Sequence, residues 1–205
     1  MKTVLILGCQ RSGTSLLASM VGRHKEVSML YESITDDTFK LIGKEYGGNK
    51  LLIPRQIQMH RRATKLGYLV NRIINFHFFK YKYQKKRFSP SSKLCIQDYL
   101  EKGAKIIAIF RDKKSTINSM QTRAGMSLKQ AEVEYDQSKK LLDKLVADKR
   151  ALPIKFEDLL LKPEEVMRAI CHFLALEFDE RMLEGHKYNY IYPHSTIDVS
   201  KAAVN

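Results

Sequence analysis

"GCQRSGTS", residues 8–15, lies between the apolar run Val4-Leu5-Ile6-Leu7 and the helix-forming stretch Leu16-Leu17-Ala18-Ser19-Met20. An apolar run ended by glycine and followed by helical periodicity reads as a buried strand, a loop and a helix N-terminus. Gly8 and Gly13 have the spacing of the phosphate-binding pattern G-x-x-x-x-G-K-[ST], in which the lysine reaches the terminal phosphates and the last hydroxyl holds magnesium. Here Thr14 stands at the lysine position. Backbone N–H groups and the helix dipole still make an anion site at such a turn. Arg11 can supply the missing cation, and Ser15 is free to bond phosphate directly.

Outward from this loop, strands alternate with helices. Residues 3–8 predict a strand and residues 14–23 a helix. Val27–Tyr31 predicts a second strand, and residues 36–45 a helix begun by Thr35 and Asp36 and broken by Gly47-Gly48-Asn49. From Pro54 to about Lys86, apolar and aromatic residues recur at helical intervals among Arg and Lys, which fits one or two basic amphipathic helices. Leu94-Cys95-Ile96 reads as a short strand after the Ser89-Pro90-Ser91-Ser92 loop, and "KIIAIF" (105–110) as a clear one. Helices follow from Ser115 and over 128–149, then a strand over 152–156 and a helix from Pro163 to about Leu174. The expected fold is a single α/β domain over 1–205: three layers of the P-loop NTPase type, a central parallel sheet, and a helical insertion over 50–93.

The 205 residues suffice for one domain with a substantial core. No stretch approaches eighteen consecutive apolar residues, so no membrane span is expected. The opening apolar run is too short for a secretory leader, which makes the cytoplasm the expected compartment. Cys9, Cys95 and Cys171 are widely spaced and suggest neither disulfides nor zinc, and no metal is expected. The net charge is +14, concentrated in one region: twelve Lys or Arg and no Asp or Glu stand between Glu45 and Asp98. That asymmetry points to an anionic ligand or partner.

"QRSGTSLL" resembles the P-R-S-G-T-T-L loop that binds the 5′-phosphosulfate of 3′-phosphoadenosine 5′-phosphosulfate (PAPS) in sulfotransferases, particularly the tyrosylprotein and related bacterial ones. That family's second motif is an arginine at a strand end with a serine eight positions later, and Arg111 and Ser119 match it. "SMQTR" is similar to the S-M-x-x-R of the tyrosylprotein branch and adds Arg123. "LPIKFEDLLLKPEEVMRAICHFLALEFDERML" resembles the strand, turn and helix that follow the nucleotide-binding half. The resemblance implies a PAPS site made of Arg11, Ser12, Gly13, Thr14, Ser15, Arg111, Ser119 and Arg123. It also implies a sulfuryl transfer to a hydroxyl acceptor, a carbohydrate, peptide tyrosine or small alcohol. A family glutamate twenty-one positions after the loop arginine implies Glu32 as the base that takes the acceptor's proton, with Arg11 stabilising the leaving group; His24 is the rival base.

Two positions depart from the family. Gln97 in "LCIQDY" replaces the lysine of L-C-N-K-D-P, and no tryptophan-containing segment follows "HKYNYIYPHSTIDVSKAAVN", where Ser200 and Lys201 are candidate phosphate contacts. The stretch "NFHFFKYKYQKKRF" admits three readings: a solvated helix face, a surface that steers an anionic glycan or acidic peptide, or a peripheral membrane contact over 66–88. No nucleic-acid module surrounds it, so no nucleic-acid partner is expected. Two alternatives to a sulfotransferase remain. A P-loop kinase or phosphotransferase shares the loop spacing but lacks its lysine, and a catalytically silent relative would bind anionic glycan or membrane.

Overall fold

The computed structural model describes residues 1–60 and 92–189. A five-stranded, wholly parallel sheet runs in the order β2-β3-β1-β4-β5, with β1 Lys2–Cys9, β2 Val27–Tyr31, β3 Tyr46–Ile53, β4 Lys105–Phe110 and β5 Ala151–Lys155. The central strand β1 is buried on both faces, as its unbroken apolar run requires. Pro153 lies in β5, at the edge of the sheet, where its missing N–H leaves no ladder bond unmade.

Helices cover both faces. On one side Val4, Ile6, Ile107 and Ile109 pack against α1 (Thr14–Val21) and the later helices α5 (Phe156–Leu161) and α6 (Pro163–Leu174). On the other, Leu5, Leu7, Leu51 and Ile106 pack against α2 (Ile96–Glu101) and α4 (Leu128–Ala147). This is the expected three-layer α/β arrangement. Between β4 and α4 runs α3 (Lys113–Ala124), begun by Asp112, whose side chain accepts from Ser115 N–H at 2.7 Å, and ended by Gly125 at φ 63°. Ser127 and Gln130 form the capping box of α4, and Pro163 opens α6.

Three expectations are corrected. In place of a helix over 36–45 there is one 3-10 turn, Asp37–Lys40. The glycines read as a breaker sit inside β3, between β2 and β1. Side chains there would collide with their neighbours: a Cβ at Gly48 would lie 2.1 Å from Sδ of Met29 on the adjacent strand β2. Lys50 to Ile53 are therefore strand, and no helical insertion starts at residue 50. The remainder of the predicted insertion beyond residue 60, with the 66–88 surface, lies outside the described residues, as do Ser200 and Lys201. Finally, Leu94–Ile96 is no strand: Asp98 accepts from Cys95 N–H at 2.8 Å, a capping interaction that starts α2 instead.

Candidate functional site

The register of the sheet sets the site's frame. Gly8 of β1 pairs with Ile109 of β4, so the chain leaves two adjacent strands side by side, once into Arg11 and once into Arg111. In open parallel sheets this carboxyl edge, where connections diverge to opposite faces, is where ligands bind.

The loop after β1 is shaped by its glycines. Gly13 has φ 91° and a Cβ there would lie 2.2 Å from Phe156 Cδ2, while one at Gly8 would meet Thr14, Ser12 and Ile109 within 2.7 Å. Ser12 Oγ donates to Cys9 O at 2.7 Å, which closes the turn. Gly13 caps α1 without a side-chain hydrogen bond, so no capping side chain satisfies the first N–H groups of that helix. Thr14 is buried, and Ser15 is half-buried at the helix start.

Three guanidinium groups converge beside this turn. Arg111 Nη1 donates to Arg11 O at 2.9 Å, and Arg11 Nε donates to Ser119 Oγ at 3.1 Å. Arg111 stacks on Phe156 at 4.5 Å, and its buried Nε has no partner among the described residues. Burial pulls its pKa below the ordinary guanidinium value. Arg11 and Arg123 push the same way, while Glu157 and Asp112 oppose. Clustered like charges with a buried, unsatisfied donor need an anion to complete them. The structure thus brings together Arg11, Ser12, Gly13, Thr14, Ser15, Arg111 and Ser119, with the exposed Arg123 close enough to act on Arg111.

Glu32 stands at the exit of β2, two strand spacings, roughly 10 Å, from the exit of β1. Its N–H donates to Lys50 O at 2.8 Å, and the next residue is pinned by the fully buried Asn49, whose side chain donates to Ser33 O at 2.8 Å. The carboxylate is held at both oxygens. Lys50 Nζ bonds Oε1, and Gln56 Nε2 donates to Oε2 at 2.7 Å. Both proposed catalytic residues have left-handed backbones, Arg11 at φ 68° and Glu32 at φ 56°. Among the described residues the other two such non-glycine positions, Lys149 and Ala175, lie at helix ends. Strain held by surrounding bonds is a mark of functional positions.

Sequence reasoning missed Lys50 and Gln56, because both depend on β3. The available signal was "KLLIP", a lone lysine heading an apolar run before proline. His24 is excluded as a base: it is buried, Nδ1 accepts from Glu26 N–H at 3.0 Å, and Nε2 therefore donates to Glu177 O at 2.9 Å. Gln97 Nε2 donates to Glu101 Oε1 at 3.1 Å along α2. All three cysteines are free and buried, and burial pushes the Cys9 thiol up to about 12. No cluster of metal-ligating side chains occurs among the described residues, and no described helix is long and apolar enough to cross a membrane. A cavity of about 620 Å³, lined by Pro54, Arg55, Met126, Val133 and Glu134 among others, opens beyond the end of β3. In it, Arg55 Nε donates to Glu134 Oε2 at 3.0 Å, and burial raises the Glu134 carboxyl above its ordinary value.

Comparison with known proteins agrees with this geometry. The model of the sulfotransferase family matches residues 100–180. The chain is 26% identical over 220 residues to protein-tyrosine sulfotransferase 2 of Gallus gallus, an alignment covering 89% of this chain and 53% of that protein. It is 24% identical to protein-tyrosine sulfotransferase A of Caenorhabditis elegans, covering 88% and 51%. The chain thus spans about half the length of the curated relatives it matches. Among solved structures, the sulfotransferase domain of the Synechococcus PCC 7002 olefin synthase superposes with a TM-score of 0.58 at 22% identity, covering 98% of this chain and 86% of that one. The sulfotransferase domain from the curacin biosynthetic pathway gives 0.55 at 18% identity, covering 98% and 89%. The fold is that of the sulfotransferases, and the resemblance read from the two phosphate motifs holds.

Proposed function

We propose that this protein transfers a sulfuryl group from PAPS to a hydroxyl acceptor, with Glu32 as general base. The observation that carries the reading is the clamp of Arg11, Arg111 and Ser119 beside the α1 N-terminus, including the unsatisfied Arg111 Nε. These residues fit the donor's anionic groups. The glycine turn and Ser12 to Ser15 offer backbone and hydroxyl donors to the 5′-phosphosulfate, and Arg111, Ser119 and Arg123 suit the 3′-phosphate. A mouse sulfotransferase of the same fold has been solved with PAP, at a TM-score of 0.54 and 13% identity, covering 92% of this chain and 64% of that one.

In the transfer, Glu32 takes the acceptor's proton as the new oxygen–sulfur bond forms. The bond from sulfur to the phosphate oxygen breaks with its electron pair, leaving adenosine 3′,5′-bisphosphate. Arg11 neutralises the charge that grows on that oxygen. The sulfuryl group bears less charge than a terminal phosphoryl group, so the loop works without the lysine and magnesium of a kinase. Asp112, the acidic residue after β4, is committed to capping α3.

Because the relatives are protein-tyrosine sulfotransferases, tyrosine in an acidic peptide is the first acceptor to try, and anionic glycans the second. The free, buried thiols accord with a reducing compartment such as the cytoplasm. Transfer of ³⁵S from labelled PAPS to a panel of peptides, glycans and small alcohols tests the reading. Activity that falls at least about 10²-fold in Glu32→Gln, with bisphosphate binding retained, supports it. A panel with no labelled product rejects it.

A further inference from the structure

Resting on that assignment of Glu32, we propose that Lys50 is a positioning residue of the transfer. With Gln56 it holds the base ionised and aimed, and it supplies the buried cation that Gln97, turned to Glu101, does not. Lys50 is 1% exposed, on β3, where the apolar run Leu51 to Ile53 follows it. A buried ammonium is costly unless paired, and replacing a whole buried ion pair by apolar residues of similar volume is often neutral or stabilising. The presence of Lys50 at the one carboxylate the reaction needs is therefore better explained by that carboxylate than by the stability of the strand.

The clamp has two arms of different kinds. Gln56 is itself locked: it is 4% exposed, its Oε1 accepts from Leu52 N–H at 2.9 Å, and its own N–H donates to Leu52 O at 2.8 Å. It fixes the direction of Oε2 without changing its charge. Lys50 fixes Oε1 and adds a positive charge that favours the ionised form. A carboxylate oxygen carries two lone pairs, so accepting a bond from Lys50 or Gln56 does not stop it from acting as a base.

The test is a double-variant cycle on the rate of adenosine 3′,5′-bisphosphate release from PAPS, with a tyrosine-containing acidic peptide as acceptor. Lys50→Met should lower kcat on the order of 10²-fold, with the KM for PAPS changed less than about twofold, because the donor clamp is untouched. Lys50→Arg, which keeps the charge, should recover most of the loss. The double variant Lys50→Met with Glu32→Gln should be no slower than Glu32→Gln alone, since Lys50 acts only through Glu32. A purely structural lysine predicts losses that multiply. Should Lys50→Met not fold, Gln56→Leu removes the other arm and should show the same non-additivity with a loss of about tenfold. Full kcat in Lys50→Met, or multiplying losses, overturns the proposal and leaves the function intact. Wild-type rates that survive Glu32→Gln overturn the base assignment itself, and the Lys50 proposal with it.

Discussion

Gly13, Phe156 and Arg111 form one mechanical unit. The ring that fills the space a Gly13 side chain would need is the ring on which Arg111 stacks. Gly13→Ala combines a left-handed backbone, which costs an L-residue about 1–2 kcal/mol, with overpacking worth about 1–3 kcal/mol. We expect a loss of about 2–5 kcal/mol in urea denaturation. Displacing Phe156 should also weaken bisphosphate binding by an order of magnitude or more, read by calorimetry. A stable Gly13→Ala variant with unchanged affinity contradicts the coupling. At this scale the family resemblance marked Arg11 in its glycine loop with Arg111 and Ser119 eight apart, which the structure brings into contact, and Glu32, twenty-one from Arg11, which it places at the exit of β2. The partners of Glu32 were not so marked, because Lys50 and Gln56 reach it through pairing of β3 with β2, and no local spacing records that pairing.

Among the elements, β3 shows why propensity misleads. Glycines usually interrupt a strand, but Gly47 lies under Met1 and Thr38, and Gly48 lies between the side chains of Met29 on β2 and Val4 on β1, so the absence of side chains is what makes room for those neighbours. The Cys95 turn failed for the converse reason: an apolar triplet suited a strand until Asp98 reached back as a cap. The 3-10 segment Glu180–Tyr188 is another element set by a single side chain. Gly185 packs on the backbone of Met20 in α1, and Asp179 anchors the segment's start, accepting from Lys25 N–H at 2.9 Å and from Arg181 Nη2 at 2.6 Å. The Arg181 guanidinium, aided by the Lys25 and Arg181 N–H groups, holds the Asp179 carboxyl well below the usual carboxylate range. A native value below the unfolded one near 4 means this stabilisation is complete above that pH and is lost as pH falls toward the native value. Asp179→Asn should cost about 2 kcal/mol at pH 7, and the gap to wild type should narrow steadily below pH 4 in denaturation curves. A gap that stays constant from pH 7 to pH 2 removes Asp179 as the anchor.

For the molecule as a whole, alternating strands and helices foretold the parallel three-layer sheet. That architecture makes ligand binding and global stability one measurement. The donor clamp joins β1, β4, α1 and α3, so a ligand that bridges Arg11 to Arg111 and Ser119 ties together segments that otherwise separate on unfolding. Adenosine 3′,5′-bisphosphate at a hundred times its Kd should add about 2.7 kcal/mol. For a domain of this size that corresponds to a rise in Tm of roughly 5–10 °C. ATP with magnesium offers no 3′-phosphate to Arg111, Ser119 and Arg123, and it finds Asp112 already bound to Ser115 N–H, so its effect should be under about 2 °C. Arg111→Ala should abolish the bisphosphate shift. It removes the group whose unsatisfied Nε calls for an anion and whose Nη1 holds the loop at Arg11. Raising the salt from 50 to 500 mM should shrink the wild-type shift without erasing it, since Arg123 is exposed and screened whereas Arg111 is not. A larger rise with ATP and magnesium than with the bisphosphate would return the loop to the kinases and leave the missing lysine without an explanation.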